Sequence, residues 1–294
     1  MFEKINLFVI GASKCGTTFL HEVLNSHPDI CMSNPKEPYT FFYDDYLSRL
    51  VDASDLFDNS RRCIIYGESS PIYSETGQFP KIASRIYGYN QNAKILYIVR
   101  EPFSRLRSVY RQTLSSGHWI DSKRYERYGL KMPLDFGSAL FTYPPFVEST
   151  RYWSNICHYR KWFPDDNIKV IMFEDLVHDT TSTVKEILFF LNVDNNFCPE
   201  YNDLVKNSGK DKVMFNSFEW RLREILPSYV VKYIPDFFKK MARYFTSNYY
   251  SKAELSADFS KEQEALVYTL LEDEVKNIYN YIGVKGDPWG FFKK

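Results

Sequence analysis

The chain has 294 residues, and its 37 Lys and Arg balance 37 Asp and Glu. With 44% hydrophobic and 25% charged residues it has the make-up of a folded globular protein, which excludes collagen, coiled coil or disorder as a description of the whole. Zero net charge argues against non-specific nucleic-acid binding, which needs excess cations to displace counterions, yet leaves room for a small anion held by a few local groups. The unusual figure is the aromatic content of 18%, with 23 Tyr and 24 Phe.

In chain order, Leu7–Ile10 is a short apolar run that reads as a buried parallel strand, and Thr17–Asn25 follows as a helix. Cys63–Tyr66 is a weaker strand and Ile95–Val99 a strong one, leading into a helix over Pro102–Leu114. A helix over Tyr152–Trp162 precedes the strand Ile168–Phe173, and helices over Thr181–Leu191 and Lys261–Ile282 come after it. The last carries apolar residues at Leu266, Leu270, Leu271, Val275, Ile278 and Ile282. Strands alternating with helices predict an α/β doubly wound sheet, its central strands mainly parallel and flanked by helices, with ligands at the carboxyl ends of the strands. No repeat or linker divides the chain, so residues 1–294 are expected to form one domain.

Two segments stand apart. Residues 117–145 are polar, then rich in Pro and aromatics, and read as a lid loop. Residues 215–250 mix rings with Lys and Arg in short helical patterns, an aromatic and basic insertion. The spacing of Trp220, Ile225 and Tyr229 favours core packing, while Lys232, Lys239, Lys240 and Arg243 leave open an acceptor platform or a peripheral membrane contact. The five cysteines are odd in number, widely spaced and without a C-x-x-C, which fits a reduced chain rather than a disulfide framework or a zinc site. Ile5–Ile10 is too short for a signal peptide or a membrane span, so a cytoplasmic location is expected.

The chemistry begins where the first strand ends, in Gly11-Ala12-Ser13-Lys14-Cys15-Gly16-Thr17-Thr18. A Gly-flanked turn between strand and helix exposes backbone amides and the positive helix end, which together cradle a phosphate in a P-loop-type fold. An NTPase loop carries lysine directly after its second glycine. Here that position is Thr17, and the lysine lies inside the loop at Lys14. A second cluster, Lys94-Ile95-Leu96-Tyr97-Ile98-Val99-Arg100-Glu101-Pro102, ends a strand on an arginine, whose planar fork suits a phosphate.

These segments resemble the PAPS-dependent sulfotransferases, as do Ser26-His27-Pro28-Asp29-Ile30, Pro35-Lys36-Glu37-Pro38-Tyr39-Thr40-Phe41-Phe42 and Gly67-Glu68-Ser69-Ser70-Pro71-Ile72-Tyr73. The last three are similar to motifs of the carbohydrate and bacterial branches, except that Ser69 replaces a lysine which the heparan-type enzymes use near the acceptor. The resemblance implies PAPS as co-substrate, PAP as product and no metal. It implies a 5′-phosphosulfate site at Ser13, Lys14, Cys15, Gly16, Thr17 and Thr18, and a 3′-phosphate site at Arg100 and Ser108. Asn207-Ser208-Gly209-Lys210 looks like the late loop over the cofactor, with Lys210 as its contact. Lys14 is expected to meet charge on the leaving phosphate, and Glu37 matches the general base of the heparan-type enzymes. His118 is the alternative base, since the cytosolic branch uses histidine, and Glu68 could help to place the acceptor.

The expected activity is sulfuryl transfer to a hydroxyl of a small molecule, glycan or glycolipid, with no nucleic-acid partner. A P-loop nucleotide kinase and a non-catalytic PAP-binding module are the rival readings. The first is already disfavoured by Thr17.

Overall fold

A computed structural model describes residues 4–116, 136–143, 145–197 and 257–293. Five parallel strands make the sheet: β1 (Leu7–Gly11), β2 (Ile30–Met32), β3 (Ile65–Ser69), β4 (Lys94–Val99) and β5 (Ile168–Met172). Their order is β2-β3-β1-β4-β5, and each neighbouring pair runs parallel. All five residues of β1 are buried, as a central strand covered on both faces requires. After β1 the chain goes to the edge strand β2, returns to β3 beside β1, then crosses to β4 and β5 on the other side. The strand order therefore reverses at β1 and β4, and the crevice beyond their carboxyl ends is where such sheets bind ligands.

Helix α1 (Thr17–Asn25) begins directly after the Gly-flanked turn, and its bounds are those the sequence predicts. Further on, α2 (Tyr46–Val51) and α3 (Ile82–Tyr89) lie between β2 and β4. Helix α4 (Pro102–Ser116) opens on Pro102, and the Glu101 carboxylate caps it by accepting from the amides of Phe103 at 3.0 Å and Ser104 at 2.7 Å. Helices α5 (Phe136–Thr142), α6 (Pro145–Glu148), α7 (Tyr152–Arg160), α8 (Phe173–His178), α9 (Thr180–Phe190) and α10 (Lys261–Ile282) follow.

Four differences from the sequence reading have physical causes. The weak strand starts at Ile65 rather than Cys63 and continues through Gly67-Glu68-Ser69, whose polarity hid a run that is fully buried. Strand β2 has three residues, too few to show a period. The segment read as a lid loop carries α5, while its residues 117–135 and the insertion at 215–250 lie outside the described residues. The strand expected to run to Phe173 stops at Met172, because Phe173 already starts α8.

The chain falls into two compact units. One comprises Met1–Arg105, Val147–Asn207 and Val267–Lys294 and contains the sheet. Much of the aromatic excess is spent in its core, where the Phe41 ring meets Phe8 at 5.3 Å, Tyr89 at 5.3 Å, Tyr46 at 5.9 Å and Tyr73 at 6.3 Å. The other unit comprises Leu106–Phe146 and Ser208–Leu266. There Phe136 packs on Tyr110 at 4.9 Å and on Phe259 at 4.7 Å, and Arg107 donates to the Ala257 carbonyl at 3.2 Å.

Candidate active site

The turn after β1 is shaped by two glycines with positive φ. Gly11 has φ 143°, and a Cβ there would come within 2.9 Å of the Pro71 carbonyl oxygen. Gly16 has φ 84° and serves as the N-cap of α1, where a Cβ would meet the Phe173 ring at 3.0 Å. Between them Lys14 adopts a left-handed conformation, φ 69°. No side chain caps α1 and no acidic residue occupies its first turn. The amide end and positive dipole of the helix are therefore left for an exogenous anion.

Cys15 lies inside the turn, between Lys14 and Gly16. Its backbone amide is spent on the Ala12 carbonyl at 3.2 Å, and its buried thiol is pushed up to about 11 by desolvation, so it is protonated and uncharged. The amides that follow it, at Gly16, Thr17 and Thr18, belong to the N-cap and first turn of α1. Thr17 is buried and Thr18 exposed.

Two arginines grip this loop from behind. Arg100, at the carboxyl end of β4, donates from Nη1 to the Lys14 carbonyl at 3.1 Å, and its guanidinium lies 4.5 Å from the centre of the Phe173 ring. Phe173 thus packs against both Gly16 and Arg100. Arg105, in the first turn of α4, is 1% exposed. It donates from Nε to the Ser13 carbonyl at 3.0 Å, from Nη1 to Thr150 Oγ1 at 2.6 Å and from Nη2 to Ser149 Oγ at 3.0 Å. None of these partners carries a negative charge. A desolvated cation beneath this loop, without a carboxylate partner among the described residues, is an electrostatic arrangement that an anion completes.

Glu37 lies on the loop between β2 and the short 3-10 helix Thr40–Phe42. It has φ 62°, and its carboxylate accepts from Lys36 Nζ at 2.6 Å and from the Tyr39 hydroxyl. The loop neighbours α1 through His21, one turn beyond Thr17. His21 is buried, its Nδ1 has no hydrogen-bond partner, and desolvation followed by the Lys36 charge lowers it to about 4. It is a neutral imidazole at pH 7. Glu68, on β3, is fully buried, and desolvation raises it to about 7, partly offset by the Tyr73 and Thr40 hydroxyls. Its carboxyl group is therefore shielded from solvent. Ser108 is half-buried on α4, and His118 and Lys210 lie outside the described residues.

Sequence reasoning did not single out Arg105, His21 or Phe173, and it met Lys36 and Tyr39 only as neighbours of Glu37 in its motif. At the start of α8, Glu174 accepts from the Glu101 amide at 3.0 Å and from Trp289 Nε1 at 2.8 Å. Among the described residues no group of three or more His, Cys, Asp and Glu is placed to hold a metal, and no helix is long and apolar enough to cross a membrane.

Comparison with known proteins agrees with this geometry. The crystal structure of a sulfotransferase from Alicyclobacillus acidocaldarius superposes with a TM-score of 0.63 at 20% identity, covering 98% of this chain and 99% of that one. The mouse sulfotransferase SULT7A1 complexed with PAP gives 0.50 at 14% identity, over 94% of this chain and 85% of that one. In sequence, human heparan sulfate glucosamine 3-O-sulfotransferase 6 is 30% identical over 185 residues, which is 62% of this chain and 51% of the relative. The chain thus spans about half the length of the curated relatives it matches. Residues 4–225 match the family described as "Sulfotransferase domain", and with the anion loop and its arginines in that span, the chain belongs to the PAPS-dependent sulfotransferase family.

Proposed function

We propose that this chain acts as a single catalytic domain that transfers a sulfuryl group from PAPS to a hydroxyl of a glycan or glycolipid, leaving PAP. The observation that carries the reading is the Gly11–Gly16 loop, with Arg100 and Arg105 on consecutive carbonyls behind it and an uncapped helix end in front. The residues fit a nucleotide with phosphates at both ends. The amides of Gly16, Thr17 and Thr18 with the Thr hydroxyls suit the 5′-phosphate, and the Arg100 fork suits the 3′-phosphate.

PAPS, when bound, supplies the activated sulfuryl group. Lys14 neutralises charge on the departing 5′-phosphate, and Arg105 holds the loop beneath it. Glu37 takes the acceptor proton as the new oxygen–sulfur bond forms, its carboxylate oriented by Lys36 and Tyr39. Alignment of donor and acceptor supplies much of the remaining rate. The glycan assignment is supported by the heparan sulfate relatives. A cytoplasmic setting belongs to the same reading, and the four described cysteines are all free thiols.

The test is stabilisation by PAP against stabilisation by ATP with magnesium. PAP at 100 times its dissociation constant should add about 2.7 kcal/mol. Stabilisation by ATP with magnesium and not by PAP would overturn the reading in favour of a kinase. Radiolabelled sulfate donor, offered with a panel of glycans and glycolipids, then separates an enzyme from a PAP-binding module. Glu37→Gln should abolish label transfer while PAP binding stays intact.

A further inference from the structure

The peptide group between Arg100 and Glu101, where β4 gives way to α4, is held at both of its polar atoms by side chains. Its carbonyl, on Arg100, accepts from the Tyr152 hydroxyl at 2.8 Å, and its amide, on Glu101, donates to Glu174 Oε1 at 3.0 Å. Trp289, in the segment after α10, meets both of these side chains. It donates from Nε1 to the other Glu174 oxygen at 2.8 Å, and its ring centre lies 6.2 Å from that of Tyr152. The Glu174 carboxylate thus bridges two N–H groups, one from the C-terminal segment and one from the end of β4.

That segment is itself fastened. The Asp287 carboxylate accepts from the amides of Phe291 at 2.8 Å and Phe292 at 2.7 Å. The Trp289 amide donates to the Tyr279 hydroxyl on α10 at 3.2 Å, and the two rings lie 4.9 Å apart. Phe291 packs on Phe103, in the first turn of α4, at 5.8 Å. The C-terminal segment therefore rests on the junction from which Arg100 reaches the Lys14 carbonyl.

We propose that Trp289 is a positioning residue for the donor nucleotide, holding Tyr152 and Glu174 against the Arg100–Glu101 peptide and so aiming the Arg100 guanidinium at the 3′-phosphate. This role rests on Arg100 being the contact for that phosphate. A guanidinium fork makes two parallel hydrogen bonds only when its plane is held to within about 10–20°. Arg100 has a flexible side chain, so its direction is set where the backbone is fixed, at the peptide that Tyr152 and Glu174 clamp. Without the indole N–H, one Glu174 oxygen loses its donor, and the carboxylate is free to turn away from Glu101.

Two nucleotides separate this role from plain structural support. PAP carries both phosphates and AMP only the 5′-phosphate, so the ratio of their affinities reads the 3′-phosphate contact. Trp289→Phe keeps a ring against Tyr152 and removes the N–H. In isothermal titration of the full chain it should weaken PAP by roughly tenfold and leave AMP unchanged. Glu174→Gln should do the same, because an amide group cannot accept from both N–H donors with its two ends. Arg100→Ala should abolish the preference for PAP, and adding Trp289→Phe to it should have no further effect. Retained AMP affinity shows that each variant is folded. An unchanged PAP affinity, equal losses of PAP and AMP in both Trp289→Phe and Glu174→Gln, or additive losses in the double variant would overturn the role of Trp289. If Arg100→Ala keeps the preference for PAP, the 3′-phosphate assignment itself fails, and the role of Trp289 falls with it.

Discussion

Arg105 and Ser13 are joined by a 3.0 Å hydrogen bond, from a guanidinium that is 1% exposed to a carbonyl of the donor loop. Arg100 does the same to the next carbonyl, at Lys14. The loop is thus fixed by two cations that form no ion pair among the described residues. A hydrogen bond to a charged group contributes about 1.5–3 kcal/mol. Arg105→Lys keeps the charge but not the three-way fork, and should weaken PAP binding by roughly 10- to 100-fold with the fold retained. Isothermal titration with PAP measures this, and unchanged affinity would reduce Arg105 to a structural role.

Gly16→Ala tests the other wall of the loop. The position has φ 84° and a Cβ would stand 3.0 Å from the Phe173 ring. Strain of this kind costs about 1–3 kcal/mol, and the same methyl displaces the ring that supports Arg100. Thermal denaturation should show the variant less stable and no longer stabilised by PAP. Adding Phe173→Leu should recover part of the stability by removing the clash, but not the part due to φ.

The elements that position the donor were legible because their signals are local. Gly11, Lys14, Gly16 and Thr17 follow one another directly after an apolar run, and the predicted bounds of α1 and α10 match those observed. Arg100 stood at a strand end followed by proline. The acceptor side was less legible because its logic is tertiary. Glu68 looks in sequence like an exposed acid between Gly67 and Ser69, and only the sheet order buries it. His21 reads as one more residue of an amphipathic helix until the Glu37 loop is laid beside it. Arg105 lies among Ser104, Leu106 and Arg107, and nothing local separates the buried arginine from its half-exposed neighbour.

Tyr39 gives a test of the base that leaves the donor untouched. Its hydroxyl donates to one Glu37 oxygen while Lys36 holds the other. Tyr39→Phe frees one oxygen of the carboxylate and should lower the transfer rate by roughly tenfold, the worth of one hydrogen bond to a charged group. PAP affinity should be unchanged. Equal losses in rate and in PAP affinity would mean that the substitution disturbs the donor site instead.

His21 and Glu68 make opposite demands on stability within the same pH window. His21 is lowered from 6.5 to about 4 by burial, so below 6.5 the unfolded chain binds a proton that the folded chain refuses, and stability falls as pH falls. Glu68 is raised from 4.5 to about 7 by burial, so above 4.5 the unfolded chain releases a proton that the folded chain keeps, and stability falls as pH rises. Each slope approaches 1.36 kcal/mol per pH unit, so between pH 4.5 and 6.5 their contributions largely cancel. Glu68→Gln removes one side of the balance and should expose a loss of about 2–3 kcal/mol on going from pH 6.5 to 4.5, relative to the wild type. His21→Gln should expose a loss of similar size in the opposite direction, and the double variant should again follow the wild-type slope. Urea denaturation at three pH values in this range reads all four curves. Four parallel curves would mean that neither group is held in its neutral form by the fold.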